Sequence, residues 1–191
     1  MFSADADLFF EPPTTHRPPP DRYGLLHLLR RDVIQCLGRD PTSNAKLEHR
    51  ALWPAAMGIL AGIDLLAKYF AGTDQGGVGS RYCEYLKRYC QPLGPDDAET
   101  LYQFRNALMH SFGLYSKSRT GRVYRFGMSL CGSTLIKQGQ KNDYVINLFV
   151  LHERFEQSVS RFQSDLDANT NLQTKFKAMF PNYGYTRYLG G

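Results

Sequence analysis

Apolar residues recur near every three or four positions in four blocks between residues 21 and 166, and clusters of Gly and Pro bracket one further, shorter block after the second of them, which predicts a succession of five helices. The first block holds Leu25, Leu28, Leu29 and Ile34, with Asp21 placed to cap its start and Gly38 and Pro41 to stop it near Leu37. The second runs from Leu47 to Phe70 and is apolar on almost every side, the mark of a central or interface helix, with Pro54 expected to kink or restart it. Ala51, Ala55, Gly58 and Gly62 follow a three-four spacing, so one face is small enough for another helix to come close. Asp64 falls on the side of Met57 and Leu60, where a carboxylate needs a cationic or hydrogen-bonding partner unless that side is an exposed edge. Four glycines between Gly72 and Gly79 make a connection that lacks the Lys and hydroxyl of a phosphate loop, and Ser80 is placed to cap a short helix to about Cys90. Asp96 and Asp97 suit the positive end of a helix through Ser111 whose core stripe is Leu101, Phe104, Leu108 and Phe112. The last block, Leu148, Leu151, Phe155, Val159, Phe162 and Leu166, has His152 beside its stripe, where a histidine reads as a packed core residue.

Between the fourth and fifth blocks the period changes. Gly113, Gly121, Gly127 and Gly132 mix with Val123, Tyr124, Phe126 and Leu130, and Tyr144 to Leu148 follow, which predicts a small β-hairpin or meander inserted at about 114–147. Residues 1–20 contain five prolines and read as an N-terminal arm, 21–170 as the helical domain, and 171–191 as a tail with Tyr183, Tyr185, Arg187 and Tyr188. The expected fold is therefore mainly α: a bundle of four to five helices carrying one β-hairpin insertion. A chain of 191 residues has room for one such core. The longest stretch without a charge, Ala51 to Ile63, falls short of the roughly 20 residues that span a bilayer, and no secretory signal opens the chain. The expectation is a soluble cytoplasmic protein with no membrane contact. Cys36, Cys83, Cys90 and Cys131 form no C-x-x-C pair, so neither a structural zinc site nor a disulfide framework is indicated, and no metal or other cofactor is expected.

Net charge is +5, and its placement matters more than its size. The 43 residues from Thr100 to Asn142 contain no Asp or Glu, yet carry Arg105, Lys117, Arg119, Arg122, Arg125, Lys137 and Lys141. A field of this sign attracts phosphates, and Tyr115, Tyr124 and Phe126 interleave as stacking surfaces, so Lys117, Arg119, Arg122 and Arg125 are candidate RNA-binding residues. A solvated basic hairpin with no ligand fits the same pattern.

The sharpest chemistry lies in the fourth block. At about 100° per residue, Arg105 falls only some 40° from Leu101, at the edge of the core stripe, while Asn106 and His110 stand one turn apart on a more exposed face. Arg105 and His110 diverge by about 140° on a straight helix, so one site can use both only if the arginine bends round or a second subunit contributes. Arg105, Asn106 and His110, an arginine with a polar residue directly after it and a histidine a few places on, resemble the signature of the HEPN superfamily, and the helical blocks on either side resemble its bundle over residues 21–170.

That resemblance implies a homodimer whose paired motifs meet across a cleft, with metal-independent cleavage of RNA through attack of the 2′-hydroxyl on the neighbouring phosphate. It gives His110 the proton transfers, Arg105 the phosphate, and Asn106 the orientation of histidine or phosphate. The biological setting it suggests is defence or a toxin restrained by an inhibitory protein partner. One branch of the family has a tyrosine two places after the histidine; this chain has Phe112 there, so regulation through that tyrosine does not carry over. Other members are non-catalytic dimerisation or RNA/nucleotide-binding scaffolds, and in that case Arg105 is a structural ion-pair residue with Asp64 as its candidate partner. A buried, saturated Arg105 favours the scaffold; two His110 side chains facing a solvent-open, basic dimer cleft favour the enzyme.

Overall fold

The computed structural model describes residues 4–15 and 22–187. Asp21, the expected cap, lies outside these residues, as do residues 16–20 of the N-terminal arm and Tyr188 of the tail. In chain order the elements are α1 (Ala4–Phe9), β1 (Arg22–Gly24), α2 (Leu25–Cys36), α3 (Leu52–Ala71), α4 (Val78–Tyr89), α5 (Asp97–Ser111), β2 (Tyr115–Lys117), β3 (Val123–Ser129), β4 (Ile136–Gln138), β5 (Asp143–Asn147), α6 (Leu148–Ala168), α7 (Thr170–Tyr183) and β6 (Tyr185–Arg187). The expected mainly α bundle of four to five helices is overturned. Seven helices and six strands in two sheets make this an α+β fold among the described residues.

The five expected helices are α2 to α6, and α3 stands at their centre, packing on α2, α4, α5, α6 and α7. Its small face explains how. A methyl group at Gly62 would come within 2.6 Å of the Phe155 ring and 2.9 Å of Leu29, and one at Gly58 within 2.6 Å of Val33, so α2 and α6 press directly on the α3 backbone. Pro54 does not kink the helix. It is the third residue of α3, where a backbone N–H has no acceptor inside the helix to lose. Among the described residues α3 is the one helix long and apolar enough to cross a membrane by length and composition, and half of its most apolar window is buried inside the protein. Ser80 lies inside α4 rather than capping it; the helix starts after Gly77, which adopts the left-handed conformation.

Two helices were not expected. Residues 170–183, of which 171–183 are expected in the tail, form α7, which buries Leu172, Phe176, Met179 and Phe180. Asn169 starts it by accepting hydrogen bonds from the N–H groups of Asn171 and Leu172. The N-terminal arm begins as α1, and Phe9 and Phe10 insert into an aromatic cluster with Tyr69, Phe162 and Phe176. β1 and β6 pair antiparallel and tie the two ends of the fold together.

The inserted sheet is also more than a hairpin or meander. Its strand order is β2-β3-β5-β4, with β5 slotted between β3 and β4, parallel to β3 and antiparallel to β4. Tyr124, Phe126, Tyr144 and Ile146 point to one side and are buried, and Phe126 meets Phe104 of α5 at 5.1 Å between ring centres. A side-chain clasp reinforces that contact: Ser116 of β2 donates to Gln103 of α5 at 2.6 Å, and Gln103 donates to Glu99 at 2.8 Å. The sheet is thereby fixed to the helix that carries the arginine and histidine.

Candidate functional site

The last two turns of α5 bring Arg105, Asn106 and His110 together within one chain. The long arginine side chain bends along the helix, so the divergence of a straight helix is overcome without a second subunit. Nη1 of Arg105 donates to Oδ1 of Asn106 at 3.2 Å and to Nε2 of His110 at 2.7 Å, while Nη2 donates to Oδ2 of Asp64 on α3 at 3.1 Å. A guanidinium has no lone pair to offer, so in this contact Nε2 of His110 can only be the acceptor. His110 is exposed to solvent, whereas the side chains of Arg105 and Asp64 keep only 12% and 14% of their surface.

The ion pair is not saturated. Oδ1 of Asp64 and Nε of Arg105 are buried without a partner, as is the hydroxyl of Tyr82 on α4. Burial pushes the Tyr82 hydroxyl well above its ordinary pKa, the charges of Cys90 and Asp64 push the same way, and Arg105 opposes them. Tyr82 is therefore buried within electrostatic reach of the ion pair, where α4 packs on α3 and α5, although nothing in the local pattern of α4 distinguishes it from its neighbours Tyr85 and Tyr89. α5 ends directly beside His110. Phe112 takes a left-handed φ of 44°, leaves the expected core stripe and is 75% exposed, because the helix stops at Ser111 and the chain turns toward β2.

No family model, curated protein or solved structure matches this chain. Among the described residues no three His, Cys, Asp or Glu side chains gather where they could hold a metal ion. Burial pushes the thiols of Cys83 and Cys90 up to about 11 and about 12, which disfavours thiolate chemistry at either.

The basic segment divides into two groups. Arg122 is already engaged: it donates to the hydroxyl of buried Tyr144 at 2.7 Å, lies 5.1 Å over the Tyr124 ring and stands 3.7 Å from Asp96. Lys117, Arg119 and Arg125 are exposed and make no ion pair among the described residues. Of the three aromatic residues expected to stack on bases, only Tyr115 is free to do so, at 51% exposure; Tyr124 and Phe126 are buried against α5. The sequence contained the signal for this split. In a strand, alternate residues face opposite ways, so Tyr124 and Phe126 cannot share a face with Arg125.

Proposed function

We propose that this chain is a metal-independent endoribonuclease of the HEPN type, centred on Arg105, Asn106 and His110. The observation that supports this most is the placing of an exposed imidazole in direct contact with a guanidinium, at the head of a basic segment, Thr100 to Asn142, that contains no Asp or Glu. In the reaction, Nε2 of His110 leaves Arg105, accepts the proton of an RNA 2′-hydroxyl, and so allows O2′ to form its bond to the adjacent phosphorus while the P–O5′ bond breaks. The leaving O5′ needs a proton. In a homodimer with paired motifs the partner subunit's His110, starting as the imidazolium and turned away from its own Arg105, supplies it and is left neutral. Arg105 holds the phosphate oxygens as charge builds on them, and Asn106 fixes the orientation of the guanidinium through its amide oxygen. An inhibitory protein covering this surface would suit a role in defence or as a toxin.

A second reading also has a specific observation behind it. The Asp64–Arg105 pair, at 3.1 Å and largely shielded from water, is what a non-catalytic scaffold would use to lock α3 to α5. The test is cleavage of single-stranded RNA in excess EDTA, with end-group analysis. The endoribonuclease leaves 2′,3′-cyclic phosphate or 3′-phosphate ends, spares DNA, and loses about 10² to 10⁴ in rate on His110→Ala with the fold unchanged. Cleavage that persists in His110→Ala, or no cleavage across a panel of RNAs, returns the protein to the scaffold reading.

A further inference from the structure

The four-stranded sheet has a second face, opposite the one packed on α5. The register places Tyr115, Arg125 and Asp143 side by side across β2, β3 and β5, and Gly127, Val145 and Lys137 across β3, β5 and β4, with Lys117 at the end of β2. Lys117, Arg125 and Lys137 are exposed, none makes an ion pair among the described residues, and Asp143 is the carboxylate set against them. Tyr115 and Val145 are 51% and 38% exposed, and Gly127 leaves the middle of the face without a side chain. The face thus combines a ring free on one side, a shallow apolar centre and three uncommitted cations.

We propose that this open sheet face binds single-stranded RNA, with Tyr115 stacking on a base and Lys117, Arg125 and Lys137 holding phosphates. Charge complementarity selects a polyanion. The exposed ring selects one with unpaired bases, since bases inside a duplex offer no free face to a flat sheet. Position links the face to the proposed site. Tyr115 follows His110 by five residues, so their Cα atoms are at most about 18 Å apart, and the Ser116–Gln103 and Phe126–Phe104 contacts hold the sheet against the helix. As a deepening of the endoribonuclease reading, the proposal gives its single-stranded substrate a binding face on the sheet that follows His110 in the chain. The binding itself does not depend on cleavage.

The test uses the full chain and a fluorescent oligouridylate of about 12 nucleotides, within the range that small sheet platforms cover, made with 2′-O-methyl groups so that attack by a 2′-hydroxyl cannot occur. Anisotropy titrations at several salt concentrations read affinity and salt slope. Replacing Lys117, Arg125 and Lys137 together by Gln should lower the slope by about 2, given about 0.7 for each phosphate neutralised on a single strand. Tyr115→Ala should weaken binding roughly tenfold or more. Val145→Glu, which sets a carboxylate in the middle of the face, should weaken it further, and circular dichroism checks that each variant keeps its helices. Arg122→Gln should change little, because that guanidinium is already held by Tyr144. Wild-type slope and affinity in the triple variant overturn the proposal, as does tighter binding of a duplex than of the single strand, or no binding by the wild type. Tighter binding to phosphatidylserine vesicles through the same three cations overturns it in favour of a membrane surface. The two readings fail separately: loss of this binding leaves the His110→Ala cleavage result standing, and active His110→Ala leaves the sheet result standing.

Discussion

Replacing Asp64 by Asn removes one charge from the ion pair beneath the proposed site while keeping the shape of the side chain. Two unit charges 3.1 Å apart attract by about 5 kcal/mol at an effective dielectric of about 20, but desolvation of both groups offsets most of that gain. The measurable cost is instead that of leaving Arg105 charged and unpaired, about 3–5 kcal/mol for a fully buried pair. Both side chains retain some contact with water, which puts this site at the low end, about 3 kcal/mol for Asp64→Ala. Asn can still accept a hydrogen bond from Nη2, worth about 1 kcal/mol, so Asp64→Asn should cost about 2 kcal/mol. The assay is urea unfolding followed by far-ultraviolet circular dichroism, with an unchanged denaturant slope confirming that the loss is one of stability. Replacing both partners, Asp64→Leu with Arg105→Met, should recover most of the loss, because the charge and its desolvation penalty disappear together. Asp64→Ala within about 0.5 kcal/mol of wild type, the range of ordinary surface substitutions, would refute the reasoning and show that the pair is not shielded.

Two further outcomes test the packing and the pH response. Gly62→Ala gains up to about 1 kcal/mol in helix propensity but drives a methyl to 2.6 Å from Phe155, and overpacking costs about 1–3 kcal/mol, so a net loss in thermal stability is expected; a rise in melting temperature would show that α3 and α6 can separate freely. His152 has its pKa lowered from 6.5 by burial, aided by Arg30 and opposed by Glu156. The unfolded chain therefore binds this proton more readily than the folded one, so this contribution to stability is complete above pH 6.5 and lost as pH falls through the lower folded value. Melting curves between neutral and mildly acidic pH should show that loss in the wild type and a flatter profile in His152→Gln; identical profiles would assign the acid sensitivity elsewhere.

Local periodicity made α2, α3, α5 and α6 legible, and the Gly and Pro clusters on either side bracketed α4. It failed for α7, where Asn171, Gln173, Thr174 and Lys175 are polar and Pro181 suggests an end, although Leu172, Phe176, Met179 and Phe180 keep the helical spacing. The sheet order was not legible, since insertion of β5 between β3 and β4 is a long-range choice that no neighbouring residues record. In the site, Asp64 was legible as a carboxylate in need of a cation, and Arg105 proved to be that cation. A helical projection left open whether Arg105 meets His110 by bending round or through a second subunit, because it locates Cα directions and ignores the reach of an arginine side chain. Phe112 was misplaced for a related reason: the stripe was extended one residue beyond the point where the helix stops.

Asn147 joins two parts of the molecule that repeat by different rules. It is the last residue of β5, its Nδ2 donates to the carbonyls of Cys131 and Gly132 at 2.9 Å, and its Oδ1 receives the N–H groups of Phe149 and Val150 at the start of α6. No spacer separates strand from helix. Slipping β5 by one residue would turn Tyr144 and Ile146 away from the core, and α6 would be advanced by about 100° in the same movement, taking Leu151, Phe155 and Phe162 off α3 and α4. The sheet and the helices are geared together at this residue, so the length of chain on either side of it is fixed far more tightly than in the exposed connections, and the phase of the bundle is set by the pairing of a strand.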